Sequence, residues 1–597
     1  MQKYKNREEV PEKYKWDLTD FFKDEEAFKK SFNKCQKIID SLNNYKGCTK
    51  NVDLLLEYLE KETESYDLVE NIEGYSYLVS DQELGISENI DRLHKASDLF
   101  NELVINTSFF EPELLSLSKK EYEELFKNDK MSKYRDMLDR IYRNKEHVLD
   151  EKSEQIISQL ENAMNHFDEM SSTMLNKEND YGTINDNGEE EVISTTNYAR
   201  LLKNKDRNIR KEVREKLSKV IDRYGTSSAQ FLNGYVKANI TNAKLHNYKD
   251  AWDAKLFNLN MPKEAYEALI KTTEDNVKSL QRYYRIYKRM IGLDKLYQYD
   301  LALPVIKNDK EYSIEEAQDL CLKAIEPLGK DYINCFKKII DNRYVDYAQY
   351  PGKASGGYSL STFSVDSRIL MSFNYNLDSV STLIHEGGHN VHHQYVKKNN
   401  DIIYRNVSSL VAEVASLTNE CLLSHYLVNN STSNSEKIAG LKNIIDVVNS
   451  NLFGAVREGK MELDFYDYVE AGNSITKDYM DNLQLESIKK YNGKEVELDE
   501  YSSIGWVRRS HYYMNYYLFN YAFCISVALF VASKIIAGDK EMLDKYMKFL
   551  STGSDVWPID VFKILDVDLT DNKVYEEAIK YYDSLLDDLE KISKEGE

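Results

Sequence analysis

"STLIHEGGHNVHHQY", Ser381 to Tyr395, carries four of the ten histidines of a 597-residue chain. His385 and His389 lie four apart, and Glu386 directly follows the first. Residues four apart share one face of a helix, so both imidazoles can address one cation. Asp378 is placed to cap that helix, whose first turns would bury Val380, Leu383 and Ile384. Glu386 then falls beside the cation rather than on it, where a carboxylate can take a proton from an activated water. This is the H-E-x-x-H pattern of a zinc site with its base. The plainer reading is a solvated helix with incidental histidines. Gly387 and Gly388 oppose it. Each costs about 1 kcal/mol relative to Ala inside a helix, a cost easier to understand where another group approaches the backbone closely. His389 and His393 form a second pair four apart, but Asn390 then stands where a base is needed. His392 and His393 read as supporting residues.

A catalytic zinc takes three protein ligands and keeps one position open. The extended form H-E-x-x-H-x-x-G-x-x-H fails, because position 392 is His and position 395 is Tyr. A downstream carboxylate is therefore expected. Asp401 lies in the loop-like "KKNNDIIYRN", whereas Glu413 lies in the helical "SSLVAEVASLTNE" among Val411, Ala412, Val414 and Ala415. A carboxylate in such company is costly to bury unless paired or bound to a cation. Glu413 is the expected third ligand. Glu420 is the alternative, or a partner for a ligand histidine. Zinc brings the pKa of a bound water to about 7. Glu386 would take that proton and later deliver it to a leaving amine. The developing oxyanion needs further donors. "GWVRRSHYYMNYYLFNYAF", Gly505 to Phe523, is the expected source, although most of its tyrosines read as core.

The bulk composition constrains the alternatives. The formal net charge is −22, which opposes nucleic-acid binding, where Lys and Arg neutralise phosphate. Seven prolines and 23 glycines are few for this length and favour long helices. The six cysteines contain no C-x-x-C pair, which fits a reducing compartment. The opening "MQKYKNREEVPEKYKWDL" lacks the apolar core of a signal peptide. "YLFNYAFCISVALFVASKIIAG", Tyr517 to Gly538, contains Asn520, Ser526 and Lys534 and reads as a buried helix rather than a membrane span. A cytoplasmic protein that binds neither nucleic acid nor membrane is expected.

Along the chain, "WDLTDFFKDEEAFKKSF" reads as an amphipathic helix capped by Asp17 or Thr19. Helical periodicity continues through Asp150 to Asn176. Asn179 to Ser194 reads as a small hairpin. It marks an expected boundary between an N-terminal helical domain, 1–195, and a catalytic domain, 196–597. Around 350–376, glycines 352, 356 and 357 mark a loop. The alternation of Ile369, Met371, Phe373 and Tyr375 with Leu370, Ser372 and Asn374 then reads as a strand. A short hairpin before the histidine helix is expected, within a mainly α chain.

"HEGGH" with "VAEVASLTNE", "GWVRRSHYY" with its Tyr-rich continuation, "PGKASGGYSLS" and "KWDLTDFF" together resemble oligoendopeptidase F, a thimet-oligopeptidase-like zinc metallopeptidase family. The resemblance covers almost the whole chain. It implies a large helical ellipsoid with a deep central channel that admits short unfolded peptides. It implies one Zn2+ per chain on His385, His389 and Glu413, with Glu386 as general base. By position it points to His511, Tyr513 and Tyr517 for oxyanion stabilisation. Gly356, Gly357 and Tyr358 would lie near substrate, where the strand edge could pair with peptide backbone. Oligopeptides are the implied partners, and a monomer or weak dimer the expected state. A non-catalytic helical peptide-binding protein with a vestigial metal site is the competing reading. A protease for larger substrates is a third.

Overall fold

In the first 110 residues, apolar positions recur at helical spacing. The helices Glu25–Leu42, Val52–Gln82 and Ser87–Thr107 close on one cluster that includes Cys35, Ile39, Leu55, Leu59, Ile72, Leu99 and Leu103. The first of these starts later than its sequence suggests. Asp24, in extended conformation, accepts from the Ala27 N–H at 2.9 Å and is the cap. Asp17 instead accepts from the Thr19 N–H and from Arg343, closing a turn. Trp16 and Phe21 therefore precede the helix and pack against Leu370.

The structure is a computed structural model that describes residues 4–595, except 151, 155, 158–165, 177, 187, 196 and 306–309. It is 71% helical and 5% strand, so the expected mainly α class holds. Of the helix expected over Asp150–Asn176, positions 158–165 lie outside the described residues, and Phe167–Asn176 is helical. The expected hairpin forms, with Thr183–Asp186 antiparallel to Glu189–Val192.

The chain forms two compact units of three segments each. One comprises Met1–Glu146, Asp309–Tyr426 and Val531–Asp566; the other comprises His147–Asn308, Leu427–Phe530 and Val567–Glu597. The units therefore do not divide at 195/196. That composition shift marks only a hairpin inside the second unit. Two of the divisions instead fall within the helices Ser409–Asn430 and Leu518–Ile536, which carry no Gly or Pro punctuation. Leu518–Ile536 is long and apolar enough to cross a membrane by length and composition, and 78% of its apolar window is buried inside the fold.

The first unit holds a three-stranded sheet. Gly357–Leu360 runs antiparallel to Arg368–Phe373, as the sequence suggests. A third strand, Val345–Ala348, pairs with Arg368–Phe373 in parallel. The expected in–out alternation along 369–375 is absent. Ile369, Leu370 and Met371 are all buried, because the central strand is covered on both faces. Tyr375 lies beyond the strand at φ 58°.

Lys353 ties this sheet together from the loop before Gly357. Its ammonium, wholly buried, sits 2.7 Å from Asp346 Oδ1. It also donates to the carbonyls of Asp346, Ala348 and Met371 at 3.0, 2.7 and 2.8 Å. Arg7 reaches the other Asp346 oxygen at 2.7 Å. Asp346→Ala would leave the Lys353 charge buried without its carboxylate, at a cost of about 3–5 kcal/mol. The urea midpoint should fall accordingly, and an unchanged midpoint would refute this account.

Candidate metal centre and active site

The histidine segment is one helix, Leu377–Asn399. Its cap is Asn376 rather than Asp378. Asn376 is extended and accepts from the Ser379 N–H at 3.0 Å, while Asp378 adds its charge in the first turn. Val380, Leu383 and Ile384 are fully buried, as the periodicity suggests. Both glycines mark close approaches. A Cβ on Gly387 would lie 2.2 Å from the Phe336 ring. A Cβ on Gly388 would lie 2.7 Å from Ser416 Cα and 2.9 Å from the Ala415 carbonyl. The histidine helix thus touches the helix Ser409–Asn430 backbone to backbone.

That contact brings an acid to the histidines. Glu413 Oε2 lies 3.5 Å from His385 Nε2 and 3.6 Å from His389 Nε2. Among the described residues these three form the one group of His, Cys, Asp or Glu whose ligand atoms all lie within 4.8 Å of one another. Tetrahedral zinc with bonds of about 2.1 Å places its ligands about 3.4 Å apart, so this donor set fits the ion. Neighbours fix two of the three donors. Glu420 Oε1 accepts from His385 Nδ1 at 2.6 Å, leaving Nε2 toward Glu413. Ser381 Oγ holds the other Glu420 oxygen at 3.1 Å. Ser416 Oγ donates to Glu413 Oε2 at 3.1 Å. Asn419 donates from Nδ2 to the Ile384 carbonyl and accepts at Oδ1 from the Tyr332 hydroxyl. Glu420 therefore takes the partner role that the sequence left open to it. Ser381, Asn419 and Tyr332 were not anticipated, although Ser381 stands one helical turn before His385. His392 stacks on Phe549, and His393 is not part of the cluster.

The site electrostatics follow from burial and crowding. Burial pushes the Glu386 carboxyl up to about 7; Glu413 and Glu420 add to this, and His385 opposes it. For His385, burial disfavours the imidazolium, but Glu420 outweighs that and raises the group to about 9. Burial and the neighbouring His385 lower His389 to about 4.

Strand Gly357–Leu360 runs against Glu386. A Cβ on Gly357 would lie 2.6 Å from Thr382 Cγ2 and 3.6 Å from Glu386 Oε1. Among the described residues the strand pairs only with Arg368–Phe373, so its other edge is open within the sheet. Gly356 has φ 102°, a conformation suited to glycine, and donates its N–H to Ser372 Oγ. The Tyr358 hydroxyl donates to Asp81 at 2.8 Å.

The expected oxyanion donors belong to the second unit. His511 lies in the turn Ser510–Tyr513 and meets the edge of Tyr521 at 5.9 Å. Tyr513 meets Tyr235 at 5.3 Å, and Tyr517 meets Tyr521 at 5.4 Å. These three residues are half-buried, whereas Tyr512 and Tyr516 are core. The segment's aromatics thus separate into two sets.

A mainly helical chain in which H-E-x-x-H meets a carboxylate from the following helix is the architecture of a metallopeptidase, and the comparisons with known proteins agree. The chain belongs to peptidase family M3, whose sequence profile matches residues 200–581; a second profile, described as Oligopeptidase F, matches 113–180. It is 31% identical to Oligopeptidase PepF of Bacillus subtilis, over 98% of this chain and 88% of that protein. It is 28% identical to Group B oligopeptidase PepB of Streptococcus agalactiae, over 99% of each. The structure of oligoendopeptidase-F from Enterococcus faecium superposes with a TM-score of 0.74 at 26% identity, covering 95% of this chain and 99% of that one. A peptidase-family crystal structure from Chlamydophila abortus reaches a TM-score of 0.90 at 25% identity, covering 98% and 100%.

The two glycines face different obstacles. Gly387→Ala meets the fully buried Phe336 ring. Gly388→Ala meets backbone and should cost about 1–3 kcal/mol. Thermal melting and metal titration should show lowered stability and weakened metal binding for Gly388→Ala. Wild-type values for both would rule out the close helix contact.

Proposed function

We propose that this metallopeptidase is a zinc-dependent endopeptidase that hydrolyses internal bonds of short, unfolded oligopeptides. The observation carrying this is the convergence of His385 Nε2, His389 Nε2 and Glu413 Oε2, with Glu386 beside an open strand edge. Those three atoms would hold the ion. Bound there, zinc would supply Lewis-acid activation of water and of the scissile carbonyl.

The chain's own residues would do the rest. Glu386 takes a proton from the attacking water and returns it to the leaving amine. Its buried setting keeps its affinity for the proton near neutrality. Glu420 holds His385 by Nδ1, and Ser416 orients Glu413. The substrate backbone would add to the open edge of Gly357–Leu360, so that binding depends little on side-chain identity. Gly356, Gly357 and Tyr358 would border it. His511, Tyr513 and Tyr517 would donate to the oxyanion. A reducing, intracellular setting is supported by six cysteines that are all free. Glu386, the general base, is present, which favours catalysis over a vestigial peptide-binding site.

Glu386→Gln should keep its metal yet lose about 10²–10⁴ in kcat on a quenched fluorescent peptide. A wild-type rate would exclude Glu386 as base. Glu413→Ala should lose metal outright, and Glu420→Ala should weaken metal affinity about 10–100-fold. If metal titration finds either unaffected, that assignment fails.

Metal uptake should also depend on pH. A ligand histidine must be neutral, and metal-free His385 holds its proton up to about 9. Binding should therefore release protons and tighten as pH rises from 6 to 8. Calorimetry in buffers of differing ionisation enthalpy reads the proton count; no release at pH 7 would contradict this.

A further inference from the structure

The segment His511–Tyr517 is held by one helix, Ala455–Glu470, through two carboxylates four residues apart. Residues at this spacing share a helix face. Glu458 is 5% exposed and receives the Arg509 guanidinium at 2.5 and 2.7 Å, two residues before His511. Glu462 is wholly buried and accepts the Tyr516 N–H at 2.7 Å, one residue before Tyr517. Between these two points the backbone is unusual. Asn515 and Tyr516 have φ of 49° and 60°, consecutive left-handed residues without a glycine. For a bulky residue such as Tyr this is an outlier that persists only when its surroundings enforce it. The surroundings are visible. Tyr516 packs between Trp252 and Tyr466, each with ring centroids 4.7 Å away. Tyr512 packs on Phe465 and reaches Met461 Sδ. The elbow drives Tyr512 and Tyr516 inward and leaves His511, Tyr513 and Tyr517 half-buried.

We propose that Glu458 and Glu462 are positioning residues for the peptidase reaction, gripping both ends of this segment so that its strained elbow presents His511, Tyr513 and Tyr517. The inference rests on the reading of those three as oxyanion donors. Glu462 needs no charge for this. Burial pushes its carboxyl up to about 8, against the pull of the Tyr516 N–H and Lys255. Protonated or not, it keeps an oxygen that accepts from Tyr516.

The test compares Glu462→Ala, Glu462→Gln and the pair Glu462→Ala/Asn515→Gly in the full-length, zinc-loaded enzyme. The readouts are kcat, KM and metal content. Glu462→Ala should lower kcat at least tenfold with full metal content and KM changed less than about twofold. Glu462→Gln, whose Oε1 still accepts from Tyr516, should restore kcat to within about threefold of wild type. Asn515→Gly should recover part of the kcat lost in Glu462→Ala, because glycine adopts positive φ freely. If Glu462→Ala does not fold, Glu462→Asp, one methylene too short to reach Tyr516, should show the same selective kcat loss. Full kcat in the alanine or aspartate variant overturns the proposal. So does a glutamine variant as slow as the alanine variant, or no recovery with Asn515→Gly. His511→Ala separates the two layers. If it is slow while Glu462→Ala is not, only the positioning role fails. If it runs at the wild-type kcat, the donor reading fails and the positioning role falls with it.

Discussion

At Gly388 the histidine helix and the helix Ser409–Asn430 meet with no side chain between them. Everything chemical in the first unit depends on that approach. Ser416 lies at the contact, and Glu413 stands three residues before it and Glu420 four after, so all three occupy one face of their helix. Closing the helices therefore delivers one carboxylate to Nε2 of both histidines and another to Nδ1 of His385. Asn419 locks the pair by bonding the Ile384 carbonyl across the contact. A methyl group at this point would separate the donors that the two helices bring together.

Five glutamates show how neighbours decide what one residue type does. Glu413 stands open to two imidazoles, whereas Glu420 is spent on Nδ1 of one of them. Glu386, on the histidine helix itself, is raised by burial and by its acidic neighbours. In the second unit, Glu458 receives a guanidinium and Glu462 a backbone N–H. Each setting follows from burial and from the charged groups and hydrogen-bond donors within reach.

The site was more legible in the sequence than the fold around it. The pair His385/His389 and the candidate base Glu386 lie within about one helical turn, so local periodicity is enough to group them. Glu413 followed from the failure of the extended motif and from the cost of a carboxylate among apolar residues. The cap at Asn376 was missed because Asp378 offers the same chemistry two residues on, and only the extended backbone of Asn376 decides between them. The strand Val345–Ala348 was missed because its partner lies more than twenty residues ahead, and burial of both faces removes the alternation that marks a strand. The division into units was illegible for a related reason: it passes through uninterrupted helices. In the tyrosine-rich segment, composition could not sort core rings from half-buried ones, because the sorting is done by a backbone turn at Asn515 and Tyr516.

The candidate ligands His385, His389 and Glu413, with the partner Glu420, all come from a single chain segment of the first unit, Asp309–Tyr426. A bound ion would therefore report first on the order of that segment. Under mild denaturant, a preparation could retain stoichiometric metal while the second unit had already lost its order. Metal content and turnover would then be two separate gauges of the same molecule, and the gap between them would measure how independently its halves unfold.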